Sequence, residues 1–554
     1  MMSVGFPQEF DSSARRADEE ILFQSDAFIR RSIRLSPRCE IVCDALPEDG
    51  MEIQFFRWKV DSSADPASFA FSGESTGMLS DPRMGTIITR GLDSETPTLW
   101  NPRGLVVGQT DRHSRLSIAE GHEIESWWEL SGPPALHLQL SAPGDATVYW
   151  PMVVFGDDSP TKVSDIVKLG DIERQRLVKS DWFDAASVAD LWAYFVDGGV
   201  YDPRDSGHGR VRCQQCAFAW WSYLMGLHRM TMKPHYRAFA RAVAWSVCVD
   251  LGDADSLRHG FWHSEPEVHS RLLWDGVRLL LSEYELAPHP DLLDAAHGAT
   301  EFAVENLTDD LEGGSLWFLH DSVEGSRRLH IRSPVIGRSD DNSLCLNTHV
   351  QALCMLVRIN RLAPDDGPFR GEQQRAMSAL EAALALAADG VLVTLFARLL
   401  PWLIECKVPH SFGERLFRFL AYRLLPRALW WVRGRARCLV LPGGYVDRDI
   451  GRTLLSDEYL VINLKHLVEL QGLEPQPWLR EVIADGVRFA ASLDFERALE
   501  RHPIWAEWVD VLEICAGGSS DVDRATECVV SALGGKTLDA FCASAGVQRV
   551  EESS

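Results

Sequence analysis

The sequence lacks the features that mark several large classes of protein. It has no surplus of positive charge, because 80 Asp and Glu outnumber 55 Lys and Arg and the formal net charge is -25. Nucleic acids attract basic surfaces, so this balance argues against a nucleic-acid partner. The first 20 residues show no apolar leader segment. With 12 scattered cysteines, we expect free thiols and a cytoplasmic location.

Short motifs that imply a metal are also missing. No HExxH or comparable ligand spacing occurs, and the one CxxC, Cys213 and Cys216 in "RCQQCAFAWW", has no second pair. A lone CxxC can be redox-active or half of a zinc site, but this context favours two small packing residues at the start of a helix. We therefore expect no metal and no cofactor.

The hydrophobic pattern changes once along the 554 residues, and the length itself predicts two or more domains. Short alternating runs such as "CEIVCDAL" and "ATVYWPMVVFG" fill residues 21–170 and predict an antiparallel β-sandwich. From about residue 175 the period is helical, with turns at "KPH", "PHPD" and "APDDGP". The predicted class is α+β: a β-sandwich-like domain, then an α/α toroid of helical hairpins. The toroid is expected in two parts, 175–390 and 438–545, and residues 1–20 and 546–554 are expected to be tails.

Residues 391–437 separate the two helical parts and differ from both in charge. They contain eight Arg and one Lys against two Glu, a net charge of +7 in an acidic chain. Charges interrupt both apolar runs, so neither reaches the roughly 20 residues of a spanning helix. A basic amphipathic segment of this kind is typical of one that lies on an anionic membrane surface. The alternatives are packing against an acidic neighbouring domain and a homodimer contact.

Two polar clusters interrupt the predicted toroid helices. The first, "HGFWHSEPEVHS", includes Glu265 and His269 and predicts a polar loop at the rim of a cavity. The second runs from "GGSLWFLHDS" to "RSDDNSLCLNTH" and contains Trp317, His320 and Asp321 as well as a helical stretch with Asn342, Asn347 and His349. Helical spacing places Asn342 and His349 on one face. The alternatives are an N-cap role for Asn342 and a satisfied core position for His349.

The third cluster, "LPGGYVDRDIGRTLLSDEYLVINLKHL", is the densest. A Gly turn precedes Tyr445, and a helix then opens near Ser456. Tyr459, Asn463 and His466 stand at i, i+4 and i+7, which is one face of that helix. Polar residues converge here beyond what solubility needs, although a buried structural network is an alternative. The candidate residues of this cluster are Tyr445, Asp447, Arg448, Asp449, Arg452, Tyr459, Asn463 and His466.

A β domain followed by an α/α toroid that carries "GGYVDRDI" and "SDEYLVINLKHL" resembles the D-glucuronyl C5-epimerases and several polyuronide lyases. The likeness covers roughly residues 200–380 and 438–495. In that family a Gly turn leads into a Tyr-Asp-x-Arg element, and a helix with Asp-Tyr, Asn and His follows. "LWFLHDS" lacks the tyrosine of the family's middle hairpin, and Tyr445 precedes its Asp by two positions rather than one. The resemblance implies the fold and a glycan substrate, and it leaves epimerisation and elimination open.

The resemblance also implies a mechanism that needs no cofactor. Removing a proton next to a carboxylate makes an enolate, whose charge needs fixed cations and a placed base. Arg448 and Arg452 would hold the uronate carboxylate, and Tyr445 and Tyr459 would transfer protons with His466 or His349 on the opposite face. The expected substrate-binding residues are Arg448, Arg452, Asn347, Asn463, Asn342, Trp317 and Glu265.

Two other functions use the same architecture. A membrane-associated prenyl or terpene cyclase would use Asp447 or Asp449 as its acid, although the cyclase motif DxDD is absent. A non-catalytic scaffold that binds glycan or lipid is the third reading. If residues 391–437 meet a membrane, the enzyme would be peripheral and its substrate a lipid-linked or membrane-proximal glycan.

Overall fold

The computed structural model describes most of the β-domain and the central helices in two compact units. Unit 1 comprises residues 1–267 and 275–299, and unit 2 comprises residues 268–274 and 300–554. The residues described are 2–5, 19–60, 67–72, 77–81, 85–89, 94–102, 106–110, 116–118, 124–129, 135–140, 146–167, 192–202, 209–252, 268–311, 313–322, 344–363, 367–385, 413, 416, 440–441, 445–446, 449–450 and 457–491.

Besides a two-stranded pair formed by β15 (Phe195–Val196) and β16 (Gly199–Val200), the described residues of unit 1 contain two larger β-sheets. Their strands are β1 (Met2–Gly5), β2 (Glu19–Gln24), β3 (Ile29–Ser36), β4 (Cys39–Leu46), β5 (Met51–Val60), β6 (Ala67–Ser72), β7 (Gly77–Asp81), β8 (Gly85–Thr89), β9 (Pro97–Asn101), β10 (Val106–Thr110), β11 (Leu116–Ile118), β12 (Ile124–Glu129), β13 (Ala135–Leu140) and β14 (Ala146–Phe155). The larger sheet is antiparallel in the order β2-β3-β4-β5-β14-β9-β8-β7, with β10 joined to β14 and β11 to β10. The smaller sheet has the order β1-β6-β13-β12.

The two sheets share one apolar core. Ile41, Phe56 and Trp150 of the larger sheet pack with Leu136 of β13, and Trp128 of β12 borders them. The rings of Phe56 and Trp150 stack with centroids 4.7 Å apart. Apolar side chains that interdigitate between two sheets define a sandwich, so the predicted β-sandwich is confirmed.

Helices follow the strands in unit 1, and their ends lie at the predicted turns. They are α1 (Val163–Val167), α2 (Gln214–Thr231), α3 (Pro234–Leu251), α4 (Ser270–Leu286) and α5 (Pro290–Asn306), of which α4 begins in unit 2. The C-cap of α2, Met232, has φ 56°, and Pro234 then opens α3. Proline suits a first helical position because its fixed φ matches the helix and no N–H is lost. The "KPH" and "PHPD" turns are confirmed in this way.

The first helical hairpin of unit 1 packs on the β-sandwich. Trp245 of α3 stacks on Phe28 with centroids 5.5 Å apart and planes 2° from parallel. Phe239, also in α3, lies 5.6 Å from Trp100 of β9. These aromatic contacts join the helices to the sheet. Unit 1 therefore includes helices beyond residue 170, where the hydrophobic pattern changes from alternating to helical.

Unit 2 is built from helical hairpins and short strand pairs. Its elements are β17 (Thr308–Asp310), β18 (Leu316–Phe318), β19 (Leu344–Cys345), α6 (Leu346–Leu362), α7 (Arg370–Leu384), β20 (Val440–Leu441), β21 (Tyr445–Val446), β22 (Asp449–Ile450), α8 (Asp457–Leu473) and α9 (Pro477–Ala491). Helix α6 packs against α7 and α8, and α8 also packs against α9. The α+β class, with strands first and helical hairpins after, is confirmed. Closure of the hairpins into a toroid stays a prediction.

Within these described ranges, no helix is both long and apolar enough to cross a bilayer. The basic segment 391–437 lies outside the description except for residues 413 and 416.

Candidate functional site

The second and third sequence clusters meet in unit 2. Strand β19 pairs antiparallel with β22, so that Cys345 is opposite Asp449 and Leu344 is opposite Ile450. Strand β21, which begins with Tyr445, packs against α8 and α9. The first pairing puts Asp449 and Ile450 beside the start of α6, although more than 100 residues separate the two in sequence.

His466 of α8 is held by the backbone of α6. Its Nδ1 lies 3.1 Å from the carbonyl oxygen of Asn347. A carbonyl oxygen only accepts hydrogen bonds, so Nδ1 carries the proton and Nε2 is the basic nitrogen of the neutral ring. The residue is 5% exposed. An imidazole with a fixed tautomer and orientation is the usual form of a histidine base.

A series of buried polar groups in contact with one another, here called the polar chain, leads away from His466. The Cys345 thiol donates to Asn347 Oδ1 at 2.7 Å, and the Thr348 hydroxyl lies 3.6 Å from Cys345 Sγ. Thr348 Oγ1 is 3.0 Å from His320 Nδ1. The rings of His320 and His269 then stand edge to face, 4.6 Å apart. The polar chain consists of His269, His320, Thr348, Cys345, Asn347 and His466.

Backbone pairing fixes the far end of the polar chain. His269 forms an isolated antiparallel bridge with Asp321. The amide of Ser270 donates to the His320 carbonyl at 2.9 Å. All members of the polar chain are more than nine-tenths buried. Hydrogen-bonded groups in a low-dielectric interior polarise and orient one another.

His349 is bonded differently from His466. Its Nδ1 accepts from the Phe318 amide at 3.2 Å, and its Nε2 donates to the Ala376 carbonyl at 3.0 Å. Burial lowers the pKa of His349 to about 3. With both ring nitrogens bonded to backbone groups and no exposed surface, His349 fits the satisfied core position rather than proton transfer.

Trp317 shares this core role. Its ring is stacked on His349 with centroids 3.8 Å apart and planes 7° from parallel, and the residue is fully buried. A platform for a sugar needs an open face, so this placement fits packing rather than substrate binding.

Asn463 and Asn347 are both buried beside His466. Asn463 lies one turn before His466 in α8 and has no exposed surface. The side chain of Asn347 accepts the Cys345 thiol, while its carbonyl accepts His466. Asn347 therefore positions the imidazole, which differs from the expected hydrogen bond to a sugar hydroxyl.

The remaining predicted residues divide into two groups. Backbone positions are described for Tyr445 in β21, Asp449 in β22 and Tyr459 in α8. Outside the described residues lie Asn342, Glu265, Arg448, Arg452 and Asp447.

The predicted helical stripe that joined Asn342 to His349 is wrong. Helix α6 begins at Leu346 with Cys345 as its N-cap, so the helix does not reach position 342, which lies outside the described residues. The pairing of β19 with β22 holds residues 344 and 345 in an extended conformation, and this overrides the helical periodicity.

Cys345 and Thr348 are not among the residues predicted from the sequence. The only local signal was their spacing, because a cap residue and the residue three positions on face each other at a helix start. Within the described chain, metal-ligating side chains also come together in unit 1.

Comparisons with known proteins give distant matches. No family model matches the sequence, and no curated protein does. Among solved structures, the unsaturated glucuronyl hydrolase from Bacillus sp. GL1, responsible for the degradation of glycosaminoglycan, is 13% identical. The match covers 50% of this chain and 73% of that one, with a TM-score of 0.25. A polysaccharide lyase is 11% identical over 63% of this chain and 85% of its own, with a TM-score of 0.26. Neither is a C5-epimerase, and similarity at this level assigns no activity to the chain.

Proposed function

We propose that unit 2 carries the active site of a carbohydrate-active enzyme that removes the C5 proton of a uronic acid residue in a glycan. The observation that carries the proposal is the hydrogen bond from His466 Nδ1 to the Asn347 carbonyl. It holds a basic Nε2 in one orientation, in the helix that follows the "GGYVDRDI" segment.

The chemistry requires a base and a means of stabilising charge. When Nε2 of His466 takes the C5 proton, the imidazolium that forms keeps its Nδ1–H bond to a carbonyl dipole, which stabilises the new positive charge. The enolate carries extra negative charge on the substrate carboxylate. Arg448 and Arg452 are the residue type that binds a carboxylate through two parallel hydrogen bonds.

A second proton-transfer group decides the outcome of the reaction. Tyr459 lies seven residues before His466 in α8, and Asn463 lies between them. The spacing places all three at positions of one helix face. Tyr445 stands in β21, which packs against the same helix. Return of a proton from a tyrosine to the opposite face of the sugar gives an epimerase, and loss of the 4-linked substituent gives a lyase.

The experiment is NMR of uronic-acid glycans incubated with the protein in deuterated water. For an epimerase we expect deuterium to appear at C5, and for a lyase we expect loss of the C5 proton together with formation of an unsaturated uronate. In His466→Gln the rate of either reaction should fall by about 10²-fold or more, because a general base commonly contributes 10²–10⁴-fold. A new C5 epimer would identify an epimerase, and an unsaturated uronate that absorbs in the ultraviolet would identify a lyase.

His228→Gln is the matched control. His228 also places Nδ1 3.0 Å from a backbone carbonyl, that of Lys233, but it lies in unit 1. This variant should exchange at the wild-type rate. If His466→Gln also exchanges at that rate, His466 is not the base. If the folded wild-type protein neither exchanges the C5 proton nor forms an unsaturated uronate on any glycan, uronate chemistry is excluded for that panel, and prenyl substrates become the next assay.

The basic segment 391–437 supports a further part of the proposal. Its charge of +7 would attract anionic lipid headgroups, with each basic residue near the surface contributing about 1 kcal/mol. We propose that it brings the enzyme to a lipid-linked or membrane-proximal glycan. Sedimentation with phosphatidylserine vesicles, compared with neutral vesicles, tests this; equal sedimentation with both would contradict it.

A further inference from the structure

A short antiparallel bridge in unit 1 brings a carboxylate to the CxxC. Tyr201 pairs with Arg212. The amide of Asp202 donates to the Val211 carbonyl and the amide of Cys213 to the Val200 carbonyl, both at 2.8 Å. Alternate residues of a strand share a face, so Asp202 and Cys213 lie on the face opposite Tyr201 and Arg212, in a diagonal position that side chains can span.

The start of helix α2 brings in the second thiol. Cys213 is the N-cap, and its Sγ accepts the amide of Cys216 at 3.2 Å. Cys216 is therefore one turn into the helix and directly beside Cys213. The two Sγ atoms and a carboxylate oxygen of Asp202 all lie within 4.8 Å of one another. Asp202 and Cys213 are 2% exposed and Cys216 is 1% exposed.

We propose that Asp202, Cys213 and Cys216 bind one divalent ion of the zinc class. Zinc takes thiolate sulfur at about 2.3 Å and carboxylate oxygen at about 2.0–2.2 Å in tetrahedral geometry. Donor atoms around such an ion stand about 3.5–3.8 Å apart, so the three groups need to approach one another by about 1.3 Å at most. Thiolate ligands select zinc over magnesium or calcium.

The electrostatics of the three groups favour a cation. Binding deprotonates the two thiols, releases their protons to solvent and leaves two thiolates and one carboxylate around a dipositive ion. The N-terminus of α2 stabilises a thiolate at the N-cap. Three protein ligands leave a fourth tetrahedral position for water or another small ligand. The ion would tie residues 200–202 and 211–213 to the start of α2, and folding would be coupled to its binding.

Titration of the reduced, metal-free full-length protein with Co²⁺ tests the proposal. We expect one equivalent to produce a thiolate-to-cobalt charge-transfer band and the visible bands of tetrahedral cobalt, with release of about two protons per ion. Zn²⁺ should displace the cobalt and raise Tm. In Cys216→Ser the charge-transfer band should weaken and the affinity should fall. In Asp202→Asn the band should remain while the affinity falls by about tenfold or more.

Cys248→Ser is the control variant. Cys248 is an equally buried thiol of unit 1 whose Sγ lies 3.5 Å from the Asp291 carbonyl, a bond that a hydroxyl retains. Burial raises the pKa of Cys248 to about 12, and this variant should bind cobalt like the wild type. Circular dichroism checks that each variant is folded. The proposal is overturned if the folded, fully reduced wild type shows no charge-transfer band, or if Cys216→Ser leaves the band and the affinity unchanged.

Discussion

The two units bury polar groups of different kinds. In unit 1 the described buried polar groups include charges held in direct ion pairs, whereas in unit 2 the polar chain is made of imidazole, hydroxyl, thiol and amide groups. Such pairs among the described residues of unit 1 include Arg30–Asp44, Arg31–Glu52, Arg57–Asp197, Arg212–Asp250 and Arg237–Glu283. A paired charge is fixed by its partner and costs a great deal to expose alone. A neutral titratable group can gain or lose a proton in place, which is what the proposed function requires of His466.

The pair of Arg30 and Asp44 shows what the charges of unit 1 do. Arg30 Nε and Nη2 donate to the two carboxylate oxygens of Asp44 at 2.7 and 2.6 Å, and Nη2 also donates to the Gly198 carbonyl. Ser246 of α3 donates to that same carbonyl at 2.6 Å. The φ of Gly198 is 72°, a conformation that favours glycine. The ion pair therefore joins β3 and β4 to a turn that α3 also holds.

Asp44→Asn should have the largest effect on stability. It leaves Arg30 charged and buried with one neutral partner, and losing one member of a buried pair costs about 3–5 kcal/mol. Urea unfolding of the variant and the wild type measures the difference. The double variant Arg30→Met with Asp44→Leu should recover much of the loss, because it removes both charges. A single variant as stable as the wild type would show that the pair is dispensable.

His349→Phe should have the next largest effect. The ring can still stack on Trp317, but the Phe318 amide and the Ala376 carbonyl lose their partners. Two buried backbone groups without partners cost about 2–4 kcal/mol together. Urea unfolding at pH 7 measures this loss. A change below about 0.5 kcal/mol, the range of ordinary surface substitutions, would contradict the structural role given to His349.

The difference in stability between the wild type and His349→Phe should also depend on pH. The pKa of His349 is about 3 in the folded protein, against about 6.5 for a free histidine. Its neutral form stabilises the fold fully above pH 6.5, and this contribution falls by about 1.4 kcal/mol per pH unit as the pH drops towards 3. The stability gap between the wild type and His349→Phe should therefore narrow from pH 6.5 to pH 4. The pKa of His235 is also about 3. Because both proteins contain His235, its contribution to the pH dependence cancels in the difference.

Local sequence patterns predicted much of the fold. Alternating runs predicted the strands of the sandwich, and proline turns predicted the ends of α2 and the starts of α3 and α5. These signals depend on neighbouring residues, which is why they are visible in one sequence.

The roles of the two histidines were not predictable in the same way. His349 and His466 both stand among apolar residues of a helix, and their bonding partners are backbone groups supplied by distant segments. Any residue type can supply those groups, so no residue pattern distinguishes the core histidine from the candidate base. The pairing of Cys345 with Asp449 is likewise a property of the fold.

Arg375→Gln should have the smallest effect on stability of the three variants, because it breaks an exposed ion pair rather than a buried contact. Arg375 of α7 pairs with Asp310 of β17, but their side chains are 41% and 77% exposed. Water and salt screen such a pair, so it contributes less than about 1 kcal/mol. Urea unfolding in low and high salt should show a small loss that shrinks as salt rises. If Arg375→Gln lost as much unfolding free energy as Asp44→Asn, burial would not explain why one ion pair stabilises the fold more than another.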